Sequence, residues 1–317
     1  MGTNEDFAQK SDKSKLIKEE DGGFLHVLYQ IYRIAVPTMI SCFFMQLIYT
    51  INTMYAGKMG DATKIAGLGM GTSFLECVTL CTLIGMNGAV ETLVSHAFGA
   101  GQIRLCGAYL NRGRVINTAI FIPLALILCF SKPMLIFMGQ DPLVAQYAQT
   151  YILVNLPGVY FMGQFDLAKR FLNCLRITWV PMVAQVGSTF LHLAACEIIV
   201  VRMGVQPIIG LGLASTVTSV SLFIMITIYA NMLDQIKEAI YWPDSSVWLG
   251  WAEYFRLGVP TTGIMCAEYW AWQGLCLMSG NLSVEEQAVM MITVQVAWLV
   301  NTTCLGLQEA ACVLVGI

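Results

Sequence analysis

The chain alternates between long apolar stretches and short polar links that carry glycine or proline. A stretch of about 20 mostly apolar residues is long enough to cross the hydrocarbon core of a membrane as a helix. Eight stretches meet this condition, at roughly 34–55, 65–88, 115–137, 143–165, 180–201, 208–230, 254–279 and 287–309. Lys132 and Pro133 interrupt the third one. The pattern predicts an all-α polytopic membrane protein with eight spanning helices.

The composition agrees with this class of protein and excludes several others. Of the 317 residues, 57% are hydrophobic and 12% are charged, whereas charged residues make up about 25% of a soluble domain. The net charge is −3 and no basic block indicates a nucleic-acid partner. The 11 cysteines are scattered without a metal-ligand spacing, which favours packing roles and predicts neither a metal site nor another cofactor. No nucleophile–base pair or phosphate loop is visible, so we do not expect an enzyme.

Lysine and arginine are unevenly divided between the two sides that the spans define. With the N-terminus in the cytoplasm, the other side holds only Lys58, Lys64, Lys132 and Arg202 of the 17 basic residues. This division follows the positive-inside rule. Residues 1–28 are polar and of mixed sign, which predicts a disordered cytoplasmic tail. The pattern does not distinguish the plasma membrane from a vacuolar or vesicular membrane.

Two pairs of segments indicate an internal repeat. YRIAVPTMISC at 32–42 resembles FRLGVPTTGIMC at 255–266, and GMNGAVETLV at 85–94 resembles GLQEAACVLV at 306–315. Both pairs are separated by nearly the same number of residues, so they belong to one duplication. Six spans separate the copies, and an even number preserves direction. The repeat therefore predicts parallel bundles related by an axis along the membrane normal.

The repeat divides the chain unequally. Residues 29–250 are predicted to form a complete six-helix bundle, and residues 251–317 to form only the first two helices of a second bundle. A complete duplication needs four more helices. The pattern therefore leads us to expect a chain that is truncated after its eighth helix.

Four motifs carry a family resemblance. The first span with its link reads PTMISCFFMQLIYTINTMYAGKMGD, the second span ends in GMNGAVETLVSHAFGAG, and KRFLNCLRITWVP joins the fourth and fifth. In CAEYWAWQGLCLMSGNL, the matching core is Cys266, Glu268, Tyr269 and Trp270. In this order and spacing, over nearly all of 29–317, the motifs resemble the multidrug and toxic compound extrusion (MATE) family in its plant-like eukaryotic form.

The resemblance implies a secondary transporter in which two six-helix bundles face each other across a central cleft. Such proteins export small organic solutes, often cationic or amphipathic, by antiport against protons or Na⁺, and protons are the usual coupling ion of eukaryotic members. Two alternatives stay open. One is a lipid flippase of the same superfamily, although the spans lack the basic residues expected of a flippase cavity. The other is a non-transporting fragment or subunit, because we do not expect a truncated chain to perform coupled transport alone.

Glu268 is the first candidate for the coupling site. It lies 14 residues after Tyr254, which is ~21 Å along a helix at ~1.5 Å per residue. A charge at that depth costs at least ~2.5 kcal/mol. One carboxylate can hold either a proton or a cationic solute, so competition for Glu268 is the simplest antiport mechanism; the alternative is a glutamate that only ties helices together. The flanking Tyr269 and Trp270 are expected to pack against neighbours or to face lipid.

The other candidates are residues expected to line the cleft, namely Gln46, Asn52, His192, Trp272 and Gln273. Gln46 and His192 match positions of the family, with hydrogen bonding between helices as the alternative role for both. Asn52 stands where prokaryotic members commonly carry an acid, and Gln273 where many animal members carry a second one. Neither can replace a coupling carboxylate. Trp272 shares the helix face of Glu268 and can present its ring to a cation.

The remaining acids inside the spans have structural roles or none that the sequence assigns. Glu91 is expected to be neutralised by a basic partner such as Arg112, and Asp166 by the basic residues that follow it. Glu76 and Glu197 match no functional position of the family.

Overall fold

The computed structural model of the chain describes residues 24–58, 60–242 and 245–315, and these residues are almost entirely helical, without a strand. Each of the eight predicted spans coincides with a long helix. The helices are α1 (Phe24–Gly57), α2 (Ala62–Gly99), α3 (Ile103–Cys129), α4 (Ser131–Phe137), α5 (Pro142–Cys174), α6 (Trp179–Cys196), α7 (Pro207–Met232), α8 (Trp251–Ser279) and α9 (Val284–Val315). The all-α polytopic architecture predicted from the hydrophobic pattern is therefore confirmed.

Two π-helical turns accompany these helices. One turn, Glu76–Leu80, interrupts α2 at its middle, and the other, Glu197–Arg202, continues α6. Of the predicted disordered tail, residues 1–28, the first 23 lie outside the described residues. The last five are helical, because α1 begins at Phe24.

The third predicted span is displaced relative to the structure. The helix α3 ends at Cys129 and the short helix α4 follows from Ser131 to Phe137. Pro133 lies in the first turn of α4, where its missing N–H is tolerated, but it cannot donate back into α3 and so prevents one continuous helix. At its other end, α3 begins at Ile103, before the predicted span starts at residue 115. The first turns of α3 are polar, so the hydrophobic pattern did not include them.

Five helical segments are long and apolar enough to cross a membrane, namely Ile31–Gly57, Ala62–Gly99, Ile103–Cys129, Trp179–Arg202 and Pro207–Met232. The helices α5, α8 and α9 have 33, 29 and 32 residues and are equally long, but polar residues within them lower their hydropathy.

The helices of the second repeat copy pack against those of the first in a reciprocal way. The helix α8 packs along Cys81–Gly99 of α2, and α9 packs along α1. By the sequence repeat, α8 corresponds to α1 and α9 corresponds to α2. First-to-second and second-to-first contacts are what a two-fold relation between the copies requires. Pro37 in α1 and Pro260 in α8 lie inside their helices at matching points of the repeat.

Small residues bring α2 and α8 close together. A β-carbon on Gly85 would lie 2.4 Å from the Cα of Thr262, and one on Gly88 would lie 2.6 Å from Cγ2 of Thr261. From the other side, a β-carbon on Gly258 would lie 2.8 Å from Cε of Met86. Such close backbone approach is typical of helix pairs in membranes, where van der Waals packing drives association.

The two ends of the bundle differ in charge. The α2–α3, α5–α6 and α7–α8 links lie at one end, and the basic residues of this end include Arg104, Arg112, Arg114, Lys169, Arg170, Arg176 and Lys237. We call it the basic end. The α1–α2, α4–α5, α6–α7 and α8–α9 links lie at the opposite end.

The packing at Gly85 predicts a specific loss of stability. We expect Gly85→Ala to cost ~1–3 kcal/mol, because the added methyl group meets backbone that cannot move without displacing α8. In the control, Gly263→Ala, the methyl group enters open space and should be neutral or stabilise the helix by up to ~1 kcal/mol. Thermal unfolding of both variants in one detergent checks this. Equal melting temperatures would show that α2 and α8 are not in close contact.

Candidate functional site, a central cavity with unpaired carboxylates

A cavity lies between α1, α2, α5, α7, α8 and α9. It has three connected lobes that share Met45 and Met162. The middle lobe lies between α1, α2, α8 and α9 and has a cavity volume of about 90 Å³. One side lobe extends towards α7, and the other extends towards the basic end. We call the three together the central cavity.

The middle lobe contains a carboxylate that the sequence did not assign. Gln273 Nε2 donates a hydrogen bond of 2.6 Å to Glu76 Oε2, which joins α8 to α2. Gln273 Oε1 is buried and has no partner among the described residues. No described lysine or arginine lines the middle or α7 lobes. Glu76 is therefore a carboxylate whose nearest support is an amide and neutral phenols rather than a cation.

Both acids left without a predicted role lie at the first residue of a π-helical turn. Glu76 begins the turn in α2, and Glu197 begins the turn after α6 and accepts a hydrogen bond of 3.2 Å from the Tyr55 hydroxyl. A π-helical turn inserts one extra residue and rotates the side chains that follow, and such turns are frequent at functional sites. Hydrophobic periodicity does not register a single inserted residue, so no signal in the sequence distinguished Glu76.

Gln46, predicted to line the cleft or to bond between helices, does both. Its side chain lines the middle lobe, and Gln46 Nε2 donates a hydrogen bond of 2.6 Å to Gln295 Oε1. This bond joins α1 to α9, just as the bond between Glu76 and Gln273 joins α2 to α8.

Asn52 and His192 belong to one buried network. Asn52 lines the cavity, and its Nδ2 donates to Ser215 Oγ at 3.0 Å. His192 lies behind Asn52, fully buried, with Nε2 at 3.0 Å from Asn52 Oδ1 and Nδ1 at 2.9 Å from Thr218 Oγ1. Because the amide oxygen only accepts, Nε2 carries a proton. His192 thus does not reach the cavity and instead ties α6 to α1 and α7.

The lobe at the basic end contains a cluster of charges. Arg170 donates from Nη1 to Glu91 Oε2 at 2.5 Å and from Nε to Asp166 Oδ2 at 3.0 Å. The predicted neutralisation of Asp166 is confirmed. Glu91 is neutralised by a basic partner, as predicted, and the partner that the described residues supply is Arg170. Arg112 on α3 stacks over the Tyr109 ring, 5.2 Å from its centroid.

Glu268 lines the same lobe. Its side chain is exposed and makes no hydrogen bond or ion pair with any residue that the structure describes. Gln308 and Gln185 face the lobe from α9 and α6. The sequence-predicted Glu268, Gln46, Asn52 and Gln273 thus all reach one cavity, although Glu268 lies in a different lobe from the other three.

The aromatic residues around Glu268 differ from the prediction. Tyr269, expected to pack or to face lipid, lines both the middle lobe and the basic-end lobe, with its ring 5.8 Å from that of Trp298. Trp272 is absent from the described lining and packs against Trp298 at 6.2 Å from outside. Trp270 faces away, and its Nε1 donates to Cys77 O at 3.0 Å. Helical spacing placed Trp272 near Glu268, but the rotation of α8 turns Tyr269 into the cavity.

The bond between Glu76 and Gln273 generates a testable prediction. We expect Glu76→Leu to destabilise the protein by ~1–3 kcal/mol, because it leaves the buried amide of Gln273 without an acceptor. Glu76→Gln keeps an acceptor oxygen and should lose less. Thermal unfolding in detergent checks this, with Glu285→Leu on the exposed start of α9 as control.

The double variant Glu76→Leu/Gln273→Leu separates the bond from the individual side chains. It should be more stable than the sum of the two single losses predicts, because neither partner is left unsatisfied. Strictly additive losses would show that the two side chains do not interact.

Comparison with known proteins adds to this geometry. The chain is 23% identical over 289 residues to multidrug and toxin extrusion protein 1 of Danio rerio, covering 91% of this chain and 49% of that protein. It is 26% identical over 287 residues to protein DETOXIFICATION 14 of Arabidopsis thaliana, covering 90% of this chain and 58% of that protein. The chain thus spans about half the length of these relatives.

The fold gives the same relationship. The crystal structure of the eukaryotic MATE transporter AtDTX14 superposes with a TM-score of 0.80 at 22% identity, over 92% of this chain and 69% of that one. An inward-facing multidrug resistance MATE transporter superposes with a TM-score of 0.71 at 15% identity, over 89% of this chain and 64% of that one. The MatE family model matches residues 37–198. The chain is a multi-pass membrane protein that belongs to the MatE family.

Proposed function

We propose that the protein exports small organic cations by antiport against protons, and that Glu268 is the carboxylate for which the proton and the cation compete. The observation that carries this proposal is the state of Glu268, whose side chain is exposed in the basic-end lobe without a partner among the described residues. Tyr269 and Trp298 line the lobe beside it. A carboxylate next to aromatic faces suits an organic cation, which gains ~0.5–2 kcal/mol from a ring.

The charge balance of the lobe supports a cation rather than an anion as the solute. Its charged lining residues are Glu91, Asp166, Lys169, Arg170 and Glu268. Arg170 is already held by Glu91 and Asp166. With three acids against two bases, the lobe is negative while Glu268 is ionised and neutral once Glu268 binds a proton. Lys169 and Arg170 do place basic residues on the cavity wall. The acids still outnumber them, so the balance favours a cation exporter over a lipid flippase, which needs a net basic cavity.

The exchange follows from this balance. An ionised Glu268 attracts the cation, and protonation removes that attraction and releases the cation. Because both ligands use one carboxylate, the outward step of the solute and the inward step of the proton exclude each other. We further propose that the basic end faces the cytoplasm, as the positive-inside rule requires. The membrane is then the plasma membrane or a vacuolar or vesicular membrane.

The proposal predicts how cation binding depends on pH. The affinity of the purified protein for ethidium should fall by about tenfold or more on acidification, because a protonated Glu268 carries no charge that attracts the cation. Glu268→Gln should bind ethidium weakly at every pH, and the pH dependence should vanish. Fluorescence anisotropy in detergent measures both, without requiring a complete transport cycle.

Two comparisons make this test specific. Glu285→Gln, on the exposed start of α9, should bind ethidium as the unsubstituted protein does. If Glu76→Gln instead of Glu268→Gln abolishes the pH dependence, the coupling site has been assigned to the wrong carboxylate. Ethidium affinity that responds to Na⁺ and ignores protons would replace the proton as the coupling ion.

The orientation is tested with two exposed leucines at opposite ends of the bundle. Leu249 is 67% exposed near the start of α8, and Leu282 is 79% exposed in the α8–α9 link. In sealed cells, or in sealed organelles if the protein is internal, a membrane-impermeant maleimide should distinguish Leu249→Cys from Leu282→Cys, because only one faces the reagent. At the plasma membrane we expect Leu282→Cys to react and Leu249→Cys to react after permeabilisation only. The parent chain measures the background from native cysteines, and the reverse order would invert the topology.

A further inference from the structure

A groove outside the central cavity contains a cation that has no counter-charge among the described residues. It lies on the outer side of α5 near the basic end, between α3 and α7, which flank α5. We call it the α3–α7 groove. Arg114 of α3 lines it, together with Thr227 and Asn231 of α7 and Trp242 of the α7–α8 link. The groove holds about 950 Å³ of empty space.

The polar atoms of the groove are not satisfied within the described chain. Arg114 Nε and Thr227 Oγ1 are both buried and have no hydrogen-bond partner among the described residues. Neither residue takes part in an ion pair there, and no described acid lines the groove. A half-buried guanidinium without an anion is costly, since burying a charge requires a paired partner to offset the lost hydration. An anion in the groove would supply that partner, and the hydroxyl of Thr227 could donate to the same anion.

The depth of the groove corresponds to the headgroup region of a bilayer. Arg114 is the last residue before the apolar part of α3 begins. Aromatic side chains gather at this level, with Trp242 91% exposed at the groove and Trp179 and Tyr229 in contact at 6.2 Å nearby. Tryptophan and tyrosine are enriched where the hydrocarbon core meets the headgroups.

Towards the middle of the membrane, the polar part of the groove gives way to a row of aromatic rings. Phe121 contacts Tyr160 at 5.2 Å, Tyr160 contacts Phe161 at 5.3 Å, and Phe161 contacts Phe223 at 5.5 Å. The row runs from α3 across α5 to α7, and all four side chains are half-buried. It provides an apolar surface on the bundle's perimeter that a free phosphate ion would leave uncovered.

We propose that the α3–α7 groove binds an anionic phospholipid from the leaflet at the basic end, with the lipid phosphate on Arg114 and an acyl chain along the aromatic row. The guanidinium fork suits a phosphate, and charge-assisted bonds of this kind are about twice as strong as neutral ones. The choline of a zwitterionic lipid finds no described acid in the groove, so a lipid with a net negative charge is the one that balances Arg114. Basic pockets between membrane helices are known to recognise such headgroups.

Lipid titration of the purified full chain tests the proposal. Dioleoyl phosphatidylserine and dioleoyl phosphatidylcholine are each added to the protein in detergent, and binding is followed by native mass spectrometry and by the melting temperature. We expect phosphatidylserine to bind at least tenfold more tightly than phosphatidylcholine. Arg114→Gln should lower the affinity for phosphatidylserine by at least tenfold and leave phosphatidylcholine unchanged, and Thr227→Val should lower it by about twofold to fivefold.

Three controls keep the outcome interpretable. Arg33→Gln removes an exposed base at the start of α1 and should keep the preference for phosphatidylserine. Arg114→Gln removes an unpaired charge, so its melting temperature without added lipid should not fall, which distinguishes lost binding from lost folding. Arg114→Lys keeps the charge without the fork and should bind with intermediate affinity.

Several results would overturn the proposal. One is equal binding of the two lipids, and another is a preference for phosphatidylserine that survives Arg114→Gln. Inorganic phosphate that alone raises the melting temperature as much as phosphatidylserine does would indicate an ion site instead of a lipid site. None of these results depends on transport, so the groove and the antiport proposal succeed or fail separately.

Discussion

The close approach of α2 and α8 is the constraint on which the central cavity depends. Gly85 and Gly88 leave room for the backbone of α8 at Thr262 and for the side chain of Thr261. This contact sets the rotation and height of α8, and α8 carries Gln273, Tyr269 and Glu268. With a larger separation, the 2.6 Å bond between Gln273 and Glu76 could not form. In lipid, where helices gain little by hiding apolar surface from each other, this close packing has to supply much of the association energy.

The reciprocal packing of the repeat gives the cavity two equivalent walls. In each wall, an amide of the second copy forms a hydrogen bond with a polar side chain of the first. Gln273 of α8 bonds to Glu76 of α2. Gln295 of α9 bonds to Gln46 of α1. Hydrogen bonds of this kind are modest in energy, ~0.6 kcal/mol on average between membrane helices. Each contact therefore contributes little by itself to holding the two repeat copies together.

Sequence patterns predicted the helices well and the site in part. All eight apolar stretches lie in helices, although the third is divided between α3 and the short helix α4. The polar cavity residues Gln46, Asn52 and Gln273 could be chosen because they stand at positions that the family resemblance singles out. Glu76 could not be ranked, since its position depends on a π-helical turn that periodicity does not reveal. The exchange of Tyr269 for Trp272 depends on the rotation of α8, which only the packing against Gly85 determines.

The basic residues near the membrane boundary differ in what balances their positive charge. Arg170 points inwards and is held by Glu91 and Asp166, so its charge is balanced within the chain. Arg114 points outwards, where no described acid reaches it. An inward charge lies out of reach of lipid and is balanced within the protein, whereas an outward charge at headgroup depth can be balanced by anionic lipid. Two arginines of equal charge thus have different surroundings: Arg170 lines the central cavity on one side of α5, and Arg114 lines the α3–α7 groove on the other.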